Sequence, residues 1–129
     1  MARADPVYPQ TITQAIQVGE ENISIACTAF ANQLLLIVSS SGKMGNLLKV
    51  TIESAPDLSS NSSEDLVTVE PLLGADDEQI PVVGRYIAEK VLRELSRKEI
   101  LIGVSLKDMS KPFIHELADK ILNVIRVHK

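Results

Sequence analysis

The sequence predicts an α/β fold of the α+β kind, a two-layer sandwich in which about six strands, mainly antiparallel, carry two helices on one face in the order βββββαβα. Three observations lead there. Apolar residues recur with a period of two over successive segments of the first half. Segments opening near Asp76 and at Ser110 switch to the 3.6-residue spacing of amphipathic helices. Between them, residues 100–106 form a short apolar run that reads as a buried strand.

Each element has its own signal. Residues 11–18 place Ile12, Ile16 and Val18 on one face and Thr11, Thr13 and Gln17 on the other. Gly19-Glu20-Glu21-Asn22 is a turn. The next alternation puts Ile23, Ile25, Cys27 and Ala29 on one face. After Ala31-Asn32-Gln33, residues 34–38 are apolar at every position, so both faces should be covered. Residues 39–45 read as a hairpin turn whose Gly42 and Gly45 can take positive φ. Leu48, Val50 and Ile52 then face inward, with Lys49, Thr51 and Glu53 outward. Residues 54–65 lose periodicity and are rich in Ser and Asp, which predicts a mobile loop. Residues 66–73 resume as a strand. Asp76 or Asp77 is expected to cap the first helix, with an acidic first turn suited to its dipole and Pro81 inside that turn. Ile80, Val83, Gly84, Ile87, Ala88, Val91 and Leu95 form its apolar stripe. Ser110 is the expected cap of the second helix, with Pro112 in the first turn and Phe113, Leu117, Ile121 and Val124 on the stripe. Five consecutive strands joined by short turns imply an antiparallel meander. Residues 1–129 read as a single domain, with residues 1–10 a flexible N-terminal segment.

Composition narrows the function. Hydrophobic residues make up 45% of the chain, enough for a core. Aromatic residues make up 3%, so the core is aliphatic and little remains for stacking on bases or sugars. A net charge of −4 disfavours nucleic acid or a membrane surface as partner. The one cysteine, Cys27, has no partner within the chain, and no apolar leader is visible, which together suggest a reducing location, the cytoplasm and with it the nucleus.

Geometry narrows it further. Neighbouring helices sit about 8–10 Å apart and strands about 4.8 Å apart, so two helices cover about four strands on one face and none on the other. Yet residues 34–38 and 100–106 are apolar at both parities, and Ala26 and Phe30 lie opposite the helix-facing set of their strand. An uncovered apolar face marks an interaction surface. A dimer packed through the sheet is expected, with Ala26, Thr28, Phe30, Leu101 and Ser105 at the contact. A monomer with a poorly covered face, or with residues 5–10 folded over it, is the alternative.

Residues able to carry chemistry are better explained otherwise. Gly42-Lys43 lacks a phosphate-loop context: Ile37 and Met44 stand where a glycine and a hydroxyl residue are needed, and no helix follows. Lys43 and Met44 read instead as an exposed turn tip, a charge beside a flexible thioether, suited to touching a partner. Two histidines are too few for most metal sites, and Cys27 faces the core by parity. Ser110, His115 and Asp119 share a helix, but Ser110 serves as its cap and His115 pairs with Asp119 across one turn. No catalytic, cofactor or metal residue is assigned. The acidic loop, with Asp57, Glu64 and Asp65, is either a solvated connector or an arm that recognises a basic patch.

Several strings stand in order and spacing across residues 23–127: Cys27-Thr28-Ala29-Phe30, Gly42-Lys43-Met44-Gly45, Leu72-Leu73-Gly74 followed by Asp76-Asp77-Glu78, and Val104-Ser105-Leu106-Lys107-Asp108. Taken together they resemble the proteasome assembly chaperone 3 family, small eukaryotic chaperones of the 20S proteasome α-ring. The resemblance implies a two-layer sandwich that dimerises through its sheet. It implies a related chaperone, proteasome assembly chaperone 4, as dimer partner, with self-pairing the other option. It also implies that a proteasome α-subunit, chiefly α5, is held during ring assembly and released before the β-ring closes, without ATP, metal or catalysis. Lys43 and Met44, with Asp57, Glu64 and Asp65, are the expected α-subunit contacts. A general dimeric scaffold of the roadblock or longin type is the rival reading. Roadblock-like folds begin with a helix, whereas this chain begins with a strand.

Overall fold

The computed structural model describes residues 10–54 and 65–127. Along them run β1 (Gln10–Val18), β2 (Glu21–Ala29), β3 (Leu34–Ser39), β4 (Asn46–Ser54), β5 (Asp65–Leu73), α1 (Gln79–Leu95), β6 (Glu99–Ser105) and α2 (Lys111–Val127). The order is the expected βββββαβα, and the architecture is a six-stranded mixed sheet with two helices, an α+β sandwich. Residues 1–9 and 55–64, on which the flexible terminus and mobile loop were expected, lie outside the described residues.

The sheet is not a meander throughout. Its spatial order is β1-β2-β3-β6-β4-β5. β6 enters between β3 and β4, parallel to β3 and antiparallel to β4. The hairpin expected over residues 39–45 is therefore absent: Ser39 ends β3, and residues 40–45 form a loop passing over the C-terminal end of β6. The cause lies in β6 itself, whose residues Ile100, Ile102 and Val104 are buried on one face while Leu101 and Gly103 extend its apolar character to the other. A strand apolar at both parities is most stable in the middle of a sheet. The loop is fastened there. The Ser40 N–H donates to the Ser105 carbonyl at 2.8 Å, and the hydroxyls of Ser41 and Ser105 stand 2.9 Å apart.

Register assigns every strand residue to a face. One face carries Cys27, Leu36, Ile102 and Leu48 in one row and Ile25, Val38 and Val104 in the next, all buried. α1 packs over β4 and β6, and α2 packs against α1 and reaches β1. Ile87, Val91 and Leu92 of α1 and Leu117, Ile121 and Ile125 of α2 close this aliphatic core. Gly84 permits the close approach of α1, since a methyl there would come within 2.3 Å of Leu48 Cδ1.

The first helix opens later than its acidic run suggested. It begins at Gln79, and its first turn contains no acidic residue. Asp77 acts from outside, its Oδ1 accepting the Gln79 N–H at 2.8 Å. Asp76 makes no cap. At the second helix Ser110 holds the expected place, its carbonyl accepting the Ile114 N–H at 2.9 Å.

Candidate interaction surface

Among the described residues both helices lie on one side and none packs on the opposite face of the sheet; residues 5–9, the alternative cover, lie outside the described residues. The rows of that face follow from register. Thr13, Ala26, Ile37, Gly103, Leu47 and Leu73 stand side by side across six strands. The adjacent row runs Thr11, Thr28, Leu35, Leu101, Lys49 and Glu70. Beyond the first row lie Ala15, Ser24, Ser39 and Ser105. The middle of this face is therefore aliphatic, flanked by hydroxyls on one side and by the Lys49–Glu99 ion pair at 3.9 Å toward β4.

Of the residues expected at a sheet-face contact, Ala26, Thr28, Leu101 and Ser105 sit half-buried on this face, and Phe30 lies just past β2 with 38% of its surface exposed. The run of residues 34–38 is not covered on both faces. Leu34, Leu36 and Val38 are buried, whereas Leu35 and Ile37 are only half-buried. Three further members were missed as candidates: Leu35, Ile37 and Leu47. Parity within the wholly apolar run was enough to single out the first two. Leu47 was masked by the register shift between Leu47 and Leu48, where β5 carries an extra residue.

Lys43 and Met44 are both exposed, as a turn tip requires. They differ in one respect. Met44 folds back over the sheet: a methyl on Gly103 would lie 2.7 Å from Met44 Cγ and 3.7 Å from Ile37 Cγ1. The slot left by the missing side chain of Gly103 seats the thioether on the bare face. The turn and the sheet face thus join into one surface. Asp57 and Glu64 lie outside the described residues, as does the side chain of Asp65, whose backbone pairs with Ser54 at the start of β5.

The groups able to do chemistry are engaged elsewhere. Cys27 is buried under the helices, and its thiol pKa is pushed up by desolvation, against a smaller opposing pull from Arg97. Asp108 accepts the Ser110 N–H at 2.9 Å and also bonds the Ser110 side chain, which holds its carboxyl below the usual range. His115 does not turn toward Asp119 as expected. Its ring stacks on Tyr86, centroids 4.9 Å apart, with Lys90 Nζ 5.0 Å from the centre of the Tyr86 ring. Among the described residues no group of three His, Cys, Asp or Glu side chains comes together, and no helix is long and apolar enough to cross a membrane.

The sequence profile of the proteasome assembly chaperone 3 family matches residues 36–124. The chain belongs to that family. Among its relatives are proteasome assembly chaperone 3 of Homo sapiens, 31% identical over 97 residues that cover 75% of this chain and 77% of the relative, and that of Mus musculus, 30% identical over the same shares. The family is one of assembly chaperones, a non-catalytic role. A chain from the crystal structure of a chaperone complex for yeast 20S proteasome assembly superposes with a TM-score of 0.63 at 21% identity, covering 92% of this chain and 98% of its own, which establishes the shared fold.

Proposed function

We propose that this protein is a non-catalytic chaperone subunit that promotes assembly of the 20S proteasome α-ring, holding an α-subunit, α5 by preference, as a dimer with a related chaperone of the proteasome assembly chaperone 4 type. The observation that carries this reading is the aliphatic row Ala26, Ile37, Gly103 and Leu47 on a sheet face without helices. A helix-free apolar face loses stability in water and gains it against another such face. Membership of an assembly-chaperone family supports the same conclusion.

In this reading the bare face receives the partner chaperone, and the exposed Lys43, at the margin of that face, meets the α-subunit. Met44 serves both contacts because it lies on the sheet while belonging to the turn. Co-expression with the related chaperone and an α5 subunit tests the assignment. Wild type should co-purify with both. Ile37→Glu, which puts a charge in the apolar row, should lose the chaperone partner. Lys43→Glu should keep that partner and lose most of the α-subunit. Capture of the chaperone partner by Ile37→Glu at the wild-type level would overturn the sheet-face dimer.

A further inference from the structure

We propose that β1 is a second docking edge, where two copies of this chain pair antiparallel about a two-fold axis at Gln14 and join their sheets. β1 is an outer strand, and among the described residues no strand pairs with its free side. The turn after it decides which groups face outward. Gly19 has φ of 60°, and Val18 and Glu21 close a two-residue Gly19-Glu20 loop of the kind that begins with glycine. The closing pair exchanges hydrogen bonds, so the even-numbered residues of β1 bond to β2. The N–H and C=O groups of Thr11, Thr13, Ala15 and Gln17 therefore point away from the sheet. Lys120 Nζ donates to the Gln17 carbonyl from outside, as that orientation requires, and gives up that bond to the Thr11 N–H of the second copy on pairing.

Sheet edges that stay solitary carry devices against pairing: charges, proline or bulges. The opposite edge has them. β5 contains Asp65, Glu70 and Pro71 and a register irregularity against β4. β1, Gln-Thr-Ile-Thr-Gln-Ala-Ile-Gln-Val, has no charge, no proline and no glycine over nine residues. No like charges would oppose each other if two copies met.

The pattern of β1 also fits itself. With Gln14 opposite Gln14 of a second copy, Ile12 meets Ile16, Thr13 meets Ala15 and Thr11 meets Gln17. Ile12 and Ile16 are both half-buried on the helix side, and each completes the cover of the other. Moving the axis to Thr13 sets Ile12 against Gln14, and moving it to Ala15 sets Gln14 against Ile16. Only the axis at Gln14 matches Ile12 with Ile16. The joined edge lies in the plane of the sheets, so it leaves the bare face of each copy free.

A cysteine at the axis tests this. In the register proposed, residue 14 forms a pair without mutual hydrogen bonds, whose Cα atoms stand about 4.5 Å apart, within disulfide reach. The full-length Cys27→Ala/Gln14→Cys protein should convert mainly to a disulfide-linked dimer under mild oxidation. Cys27→Ala/Gln17→Cys should not, because residue 17 faces residue 11 of the second copy. Adding Ala15→Pro, which removes an outward N–H while sparing the β2 ladder, should suppress the link. Adding Ile37→Glu should leave it intact. Equal linking of the Gln14 and Gln17 variants, or none in either, would overturn the edge pairing. Linking abolished by Ile37→Glu would overturn it as well, while leaving the sheet-face reading in place.

Discussion

Gly45 is where the loop between β3 and β4 rests on β6. Its φ is 69°, and a methyl at its Cα would lie 2.2 Å from the Val104 carbonyl oxygen. Backbone strain and overlap with a main-chain atom act together, so Gly45→Ala should destabilise by about 2–4 kcal/mol. Gly42 has φ of 81° but open space where a methyl would go. Gly42→Ala should cost only about 1 kcal/mol. Urea midpoints at constant slope separate the two, and equal losses would show that contact with β6 contributes nothing. Cys27 gives a prediction in pH. Burial raises its thiol pKa above the ordinary value of about 8.5, so the folded protein keeps a proton that the unfolded chain releases. That stabilisation is complete below the unfolded value and disappears as pH rises through the folded one. Unfolding free energy should therefore fall more between pH 7 and pH 10 in wild type than in Cys27→Ala. Parallel falls would place the thiol in water.

At the scale of elements, α1 ends in a left-handed residue that is not glycine. Ser96 has φ of 55° and ψ of 43°, its N–H donates to the Arg93 carbonyl, and the Arg97 N–H donates to the Leu92 carbonyl at 2.9 Å. This 6→1 and 5→2 pair of bonds is the termination that glycine favours. Ser96→Gly should relieve about 1 kcal/mol and raise Tm by about 3–5 °C, readable by calorimetry. The residues that make each element were legible from alternation and helical spacing, down to Ser110 at the start of α2. The neighbours of β3 and β4 were not. Alternation tells which way a side chain points and says nothing of which strand lies alongside. The trace left in the chain was the loop itself: the six residues 40–45 are long for a tight hairpin, and Ser40 and Ser41 supply the bonds that hold Ser105. The onset of α1 departs from the charge pattern for a related reason. Asp76, Asp77 and Glu78 favour a helix N-terminus by charge, but Pro81 is accommodated only in the first turn, and the structure satisfies both by starting at Gln79.

For the whole molecule, the imbalance between two helices and six strands was legible, because it rests on counting and spacing. The merging of the Met44 turn with the sheet was not, because it depends on Gly103 leaving a slot that no local pattern reveals. The consequence of the imbalance is sharpest within β3, where adjacent leucines have opposite surroundings. Leu36 is fully buried under the helices, and Leu35 is half-buried on the bare face. Leu36→Ala removes packed volume from a core that cannot collapse around it and should cost about 2–5 kcal/mol. Leu35→Ala removes area that water already reaches in part, so its cost to the isolated protein should be well below that of its neighbour, about 1 kcal/mol. Affinity for the partner chaperone should respond in the reverse order. Leu35→Ala should weaken binding by roughly tenfold, the equivalent of about 1.4 kcal/mol, while Leu36→Ala, measured at a temperature where it remains folded, should bind nearly as wild type. Urea unfolding and titration calorimetry on the same two variants make the comparison. If Leu36→Ala weakened binding while Leu35→Ala left it unchanged, the partner would be docking on the helix layer and the bare sheet face would have no part in assembly.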